Sequence, residues 1–267
     1  MECGNTSGYA YLAGSIAEPM TTHHDDWIIP DWDAPLTARA LITTRNGGVS
    51  SAPYGSMNLG DHVGDQPDAV ERNRAILRLS LPAEPKWLRQ VHGTRVVDAC
   101  SSDANPEADA SVARVKHCVC AVITADCLPV LFCNDAGTVV AAAHAGWRGL
   151  VSGVLERSVQ AMGVQPSSIM AYLGPAIGPH AFEVGDEVRE AFMAHAMAAQ
   201  TAFVPHGTGK WLADIYLLAR QRLETLGVNR IYGGGFCTHT NAARFFSYRR
   251  DGATGRMASL IWLSDET

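Results

Sequence analysis

Residues 118–149 read CVCAVITADCLPVLFCNDAGTVVAAAHAGWRG, three apolar runs separated by short turns. The runs 118–124, 128–133 and 138–143 each have the length and the apolar, partly β-branched content of a strand, and turn residues stand at their ends. They follow one another with no helix between them. Immediately afterwards Leu150, Val151, Val154, Leu155, Val159 and Met162 form one apolar stripe with Gly163 placed to stop it, so a helix is predicted over 150–162.

Working outward, the same criteria predict strands over 39–43, 87–91, 95–99, 169–173 and 257–263. Helices are predicted over 67–79, where Pro67 suits the first turn, over 186–199, and over 210–226 closed by Gly227. Strands outnumber helices and many are adjacent in sequence, which favours an α+β design with mixed sheets over an alternating parallel one. Two packed sheets with helices outside would use this inventory.

The chain has 267 residues, 47% hydrophobic and 18% charged, enough for a large core. We read residues 1–33, rich in Gly, Ser, Thr, Pro and acidic residues, as a loose extension, and 34–267 as a single catalytic domain. Met20 is a candidate alternative start. The adjacent His23 and His24 in that extension are left out of the site. The net charge of −6 is mild and the basic residues are scattered, so neither nucleic acid nor a membrane surface is an expected partner. No apolar run approaches the roughly 18 residues of a membrane span, and the N-terminus lacks a secretory layout, so a cytoplasmic protein is expected. The seven cysteines are odd in number, and Cys118, Cys120, Cys127 and Cys133 lie in strand-like text. We expect them reduced, three of the four serving as core packing.

Three polar residues stand where the chain is otherwise apolar: His92 in Gln90-Val91-His92-Gly93, Cys127 in Ala125-Asp126-Cys127-Leu128-Pro129, and His144 in Ala143-His144-Ala145-Gly146. Two imidazoles and a thiolate make a three-ligand zinc set with one position open, the pattern of a catalytic rather than a structural zinc. Each lies at a predicted element end. Gly146 and Gly149 open the helix after His144, whose free N–H groups suit an anion. Two alternatives stay open. The three residues are separate buried polar groups, or Cys127 and His144 are a metal-free nucleophile and base that need no His92, with Asp126 orienting the base or capping its own turn. The spacing lacks the local signatures of a self-contained metal site.

Other motifs are weaker. Gly207-Thr208-Gly209-Lys210-Trp211 lacks the Ser or Thr and the leading Gly of a phosphate loop, and Gly233-Gly234-Gly235 is a turn. The zinc deaminase signature of base editors is missing. Arginines beside turns are better ligand candidates, because a guanidinium binds phosphate or carboxylate with two prongs. Arg45, Arg148 and the pair Arg249-Arg250 qualify, with surface salt bridges as the plainer reading.

The strings Gln90-Val91-His92-Gly93, Thr124-Ala125-Asp126-Cys127-Leu128-Pro129-Val130, Ala142-Ala143-His144-Ala145-Gly146-Trp147-Arg148-Gly149, Leu173-Gly174-Pro175-Ala176-Ile177-Gly178-Pro179, Phe182-Glu183-Val184-Gly185 and Phe246-Ser247-Tyr248-Arg249-Arg250-Asp251-Gly252 closely resemble the YfiH family. Its members have been called laccase-domain or polyphenol oxidoreductase proteins, purine nucleoside phosphorylases and peptidoglycan editing factors. The resemblance runs in order from about residue 39 to 263. It implies a four-layer α/β/β/α sandwich of two mixed sheets with outer helices, and metal ligation by His92, Cys127 and His144. Where relatives often carry Cys, this chain has His180.

The resemblance implies phosphorolysis of purine nucleosides, including methylthioadenosine, and deamination of adenosine, with zinc as cofactor and a purine nucleoside and phosphate as small-molecule partners. Cys127 and His144 are then the catalytic residues, and Arg45, Asn58 and Arg148 the substrate-binding candidates. The alternatives are an amidase that removes a misincorporated amino acid from a cell-wall precursor, and a Cys–His hydrolase. Ten histidines with no His-x-His pair argue against a native copper oxidase, although such a donor set would take Cu²⁺ in vitro, since copper outranks zinc in intrinsic affinity.

Overall fold

The computed structural model describes Met1 and residues 26–101 and 103–265. In order it forms β1 (Ala38–Ile42), α1 (Pro67–Arg78), β2 (Pro85–Lys86), β3 (Val96–Asp98), β4 (Ala110–Ala113), β5 (Val119–Thr124), β6 (Leu128–Asn134), β7 (Val140–Ala145), α2 (Trp147–Ser152), α3 (Val154–Met162), β8 (Ile169–Leu173), β9 (Glu183–Gly185), α4 (Asp186–His195), β10 (Phe203–Pro205), β11 (Lys210–Ala213), α5 (Ile215–Thr225), β12 (Arg230–Gly233), α6 (Tyr248–Asp251) and β13 (Met257–Leu263).

One mixed sheet has the order β1-β13-β5-β2 and a second the order β12-β8-β6-β7-β4-β3; β10, β11 and β9 form a small third sheet. Alternate side chains reveal the layering. Along β5, Val119, Ala121 and Ile123 pack with Leu77 of α1, while Cys120 and Val122 turn the other way, to Leu131 and Cys133 of β6. Along β6 and β7, Val130, Phe132, Ala141 and Ala143 face Leu155 and Val159 of α3 and Leu218 of α5. Helix, sheet, sheet and helix therefore stack in four layers, as the α+β expectation had it. Both faces of the central strands are buried, and that is why their text is continuously apolar instead of alternating.

The prediction over 150–162 is one helix, but the chain breaks at Gly153, whose φ of 101° lies in the left-handed region, and makes α2 and α3. The helix predicted from residue 210 starts only after Asp214, whose carboxylate accepts a hydrogen bond from Leu217 N at 2.9 Å; Lys210–Ala213 is instead strand β11. No strand forms over 87–91. There the side-chain amide of Gln90 donates to Ile123 O and accepts from Ile123 N, both at 2.8 Å, taking the place that main-chain pairing would have.

The expected loose extension, Met20 and His23-His24 lie almost wholly outside the described residues. Packing begins by Asp26, earlier than the expected boundary. The Asp26 carboxylate accepts hydrogen bonds from Thr44, Asn46 and Arg244, and Ile28 pairs with Ile42. The expectation that the cysteines are reduced is corrected at two of them: Cys118 and Cys100 form a disulfide, because the chain brings the start of β5 beside the turn after β3. Cys120 and Cys133 are buried free thiols.

Candidate metal centre

Cys127 sits in the link from β5 to β6, and so at the crossing from one large sheet to the other. Asp126 takes a left-handed φ of 85°, and its side chain holds that turn. One carboxylate oxygen accepts from Thr238 Oγ1 at 2.6 Å, and the other accepts from Ser247 Oγ at 3.1 Å and Arg249 N at 2.7 Å. Asp126 thus caps and anchors the turn and orients no imidazole.

His144 is the penultimate residue of β7 and is buried. His92 lies in a loop with φ of 60° and is exposed. Both depend on Asp109, which the sequence reading missed. Its fully buried carboxylate accepts from the N–H groups of Val91, His92 and Gly93 at 3.2, 2.9 and 2.6 Å, so three consecutive amides converge on one side chain. It also lies 2.8 Å from His144 Nδ1, which leaves Nε2 of that ring for a ligand. The one available signal was an acid between two alanines, Ala108-Asp109-Ala110, at the head of a strand.

The ligand atoms of His92, Cys127 and His144 all lie within 4.8 Å of one another. Cys127 Sγ is 3.6 Å from His92 Nε2, and the imidazoles meet edge to face with centroids 4.7 Å apart. Gly146 supplies the room: a Cβ there would sit 2.6 Å from His92 Cδ2 and 3.0 Å from Cys127 Sγ. The donor set and this clearance fit a metal ion bound by two imidazole nitrogens and one thiolate. Burial opposes ionisation of Cys127, but His144 and His92 overcome it and bring the thiol down to about 6; burial likewise opposes charge on His144, which Cys127 and Asp109 lift to about 9. Each group thus favours the charged form of the other, thiolate on Cys127 and imidazolium on His144.

The other candidates lie elsewhere in the fold. Arg45 donates to Gly55 O and Ala242 O and stacks on Phe246. Asn58 is fully buried; its amide donates to Gly60 O and Asp65, and its oxygen accepts from Gly60 N and Arg256 N. Arg148 is exposed at the start of α2, its guanidinium 4.4 Å from the Trp147 ring centroid. Arg250 spends its fork on the carbonyls of Thr238, His239 and Phe245 and on Asp251. Helix α2 is only six residues long, shorter than the anion-binding helix expected after His144.

Residues 39–264 match the family model described as multi-copper polyphenol oxidoreductase laccase. A protein of Pseudomonas aeruginosa named purine nucleoside phosphorylase is 56% identical over 240 residues, covering 90% of this chain and 99% of that one. The Escherichia coli purine nucleoside phosphorylase YfiH is 59% identical over 239 residues, covering 88% and 98%. The crystal structure of a Neisseria meningitidis protein superposes with a TM-score of 0.87 at 56% identity, covering 90% of this chain and all of that one. This near full-length likeness shows the family: the chain belongs to the YfiH family of laccase-domain proteins.

Proposed function

We propose that this protein is a zinc-dependent purine nucleoside phosphorylase that also deaminates adenosine and splits methylthioadenosine. The observation that carries this reading is the open His92–Cys127–His144 constellation; the names of its relatives supply the substrate class. A zinc ion bound there supplies Lewis-acid polarisation of an electronegative substrate atom. Asp109 fixes the tautomer and direction of His144 and holds the His92 loop against it, so the donors are preorganised and little rearrangement is needed on binding. In phosphorolysis the bond from the purine nitrogen to the ribose breaks with its electron pair on the base. A phosphate oxygen then bonds to the anomeric carbon, and the base leaves protonated. Arg148, exposed two residues after Gly146, is the substrate contact we retain of the three expected. Arg45 spends Nε and Nη1, and Asn58 its whole amide, on partners within the fold, so neither is retained as a substrate contact.

Protein purified without added metal is expected to carry one zinc and to release adenine from adenosine only when phosphate is present. Inosine without phosphate dependence would leave deamination alone. Zinc with adenosine untouched would overturn the purine reading in favour of the amidase. The lowered pKa of Cys127 gives the metal-free nucleophile a specific footing, and His92→Ala separates the two: loss of metal and activity together supports the metal, and retained activity supports the Cys–His pair.

A further inference from the structure

The segment that leaves α6 and enters β13 lines, with His62, Val63 and Tyr248, a cavity of about 470 Å³ whose other walls are Gly252, Ala253, Thr254 and Arg256. Arg256 Nη1 donates to Thr254 O and Gly255 O at 2.9 and 3.0 Å. Its Nε and Nη2 donate to none of the described residues, and none of their carboxylates pairs with it. Two donors of this half-buried guanidinium are thus free to meet a ligand that enters the cavity. Thr254, another wall residue, is 1% exposed, and its hydroxyl is buried without a partner among the described residues. His62 adds an exposed imidazole whose Nδ1 lies 3.5 Å from Asp61.

The cavity is tied through hydrogen bonds to the turn that carries Cys127. Tyr248 stands between Ser247 and Arg249, both hydrogen-bonded to the carboxylate of Asp126, the residue before Cys127. Arg256 N is held by Asn58 Oδ1 at 2.9 Å, and its guanidinium carbon lies 5.9 Å from the Tyr248 ring centroid. Burial weakens the charge on Arg256, and Cys127 and then Asp126 are the foremost groups that restore it.

We propose that this cavity binds inorganic phosphate beside the metal triad, with Nε and Nη2 of Arg256 as a two-pronged clamp and His62 as a second donor. The anion chemistry follows from those side chains; the role of the phosphate as attacking group rests on the phosphorylase reading above. Arg256, which the sequence reading passed over, then takes the place it gave to Arg45.

Equilibrium dialysis of the full chain, as purified, against labelled inorganic phosphate tests the site directly, with the KM for phosphate in adenosine cleavage as the second readout. One bound phosphate is expected. Arg256→Gln should weaken it by about tenfold or more and raise the KM in step, with Arg256→Lys intermediate, because Lys keeps the charge and loses the fork. His62 and Tyr248 are exposed, so His62→Ala and Tyr248→Ala keep the test valid if the Arg256 variants fail to fold; His62→Ala should weaken binding about two- to fivefold, the loss of one hydrogen bond. No phosphate bound by the parent protein, or binding unchanged in folded Arg256→Gln and His62→Ala, overturns the proposal. Phosphate bound through Arg256 with no nucleoside split would leave the site standing and defeat the phosphorylase reading. Nucleosides split with an unchanged KM in both variants would do the reverse.

Discussion

At the scale of single residues, the site is held by an acid that touches no ligand position. Asp109 fixes the His92 loop through three main-chain amides and His144 through its ring nitrogen. Asp109→Asn keeps the size of the side chain but turns an amide N–H₂ toward donors, and metal affinity is expected to fall about 10–100-fold, read by equilibrium dialysis with circular dichroism as the check on folding. The Cys127 thiol makes a second prediction. Burial raises a thiol pKa and the two imidazoles lower this one to about 6, whereas burial pushes Cys120 and Cys133 up to about 12. In metal-free protein the rate of Cys127 alkylation, followed by peptide mass spectrometry, should therefore rise through about pH 6 and level off by neutrality, and added zinc should suppress it. A rate still climbing toward pH 9 would contradict the ion pair. The triad was legible because a His or Cys within apolar text stands out. Asp109 was not, since its value lies in amides 16–18 positions away, and Arg256 was not, since a vacant fork is visible only when every partner is placed.

At the scale of elements, the site needs room as much as ligands. Gly146 N-caps α2 with a φ of −59°, which alanine tolerates, yet a Cβ there would strike His92 and crowd Cys127. Gly146→Ala should leave the unfolding free energy within about 1 kcal/mol of the parent and cut metal affinity by at least about tenfold. A variant that binds metal normally would mean that His92 moves aside freely. The strands with both faces buried were readable from continuous apolar runs, and β8 and β13 fall where the text places them. Errors came where a side chain did the work of main chain, as Gln90 does for the strand expected at 87–91, or where one glycine decided the path, as Gly153 does in dividing α2 from α3. The short strands β9 to β12 carry too few residues for a period to register.

At the scale of the whole molecule, the His92, Cys127 and His144 cluster lies where the two large sheets meet. Cys127 links β5 in one sheet to β6 in the other, His144 lies next to the end of β7 in the second, and Gln90, two residues before His92, is bonded to β5 in the first. A bound ion would therefore tie the sheets together at one end, beyond the apolar core of Leu131, Cys133, Val122 and Ile261 that joins them elsewhere. That core and the Asp109 network exist without the ion, so the metal-free protein should stay folded. A ligand that binds only the folded state adds about 2.7 kcal/mol of stability at a hundred times its dissociation constant, which for a chain of this size is about 5–10 °C in midpoint. Chelation should lower the thermal midpoint by that amount with the far-ultraviolet circular dichroism unchanged at 25 °C, and readdition of zinc should restore it. In His92→Ala the same treatment should move the midpoint little, because one ligand is gone while Cys127, His144 and the Asp109 support remain. Unfolding on chelation would show that the ion is a structural member of the fold. An unchanged midpoint in the parent protein would show that the three donors hold no metal.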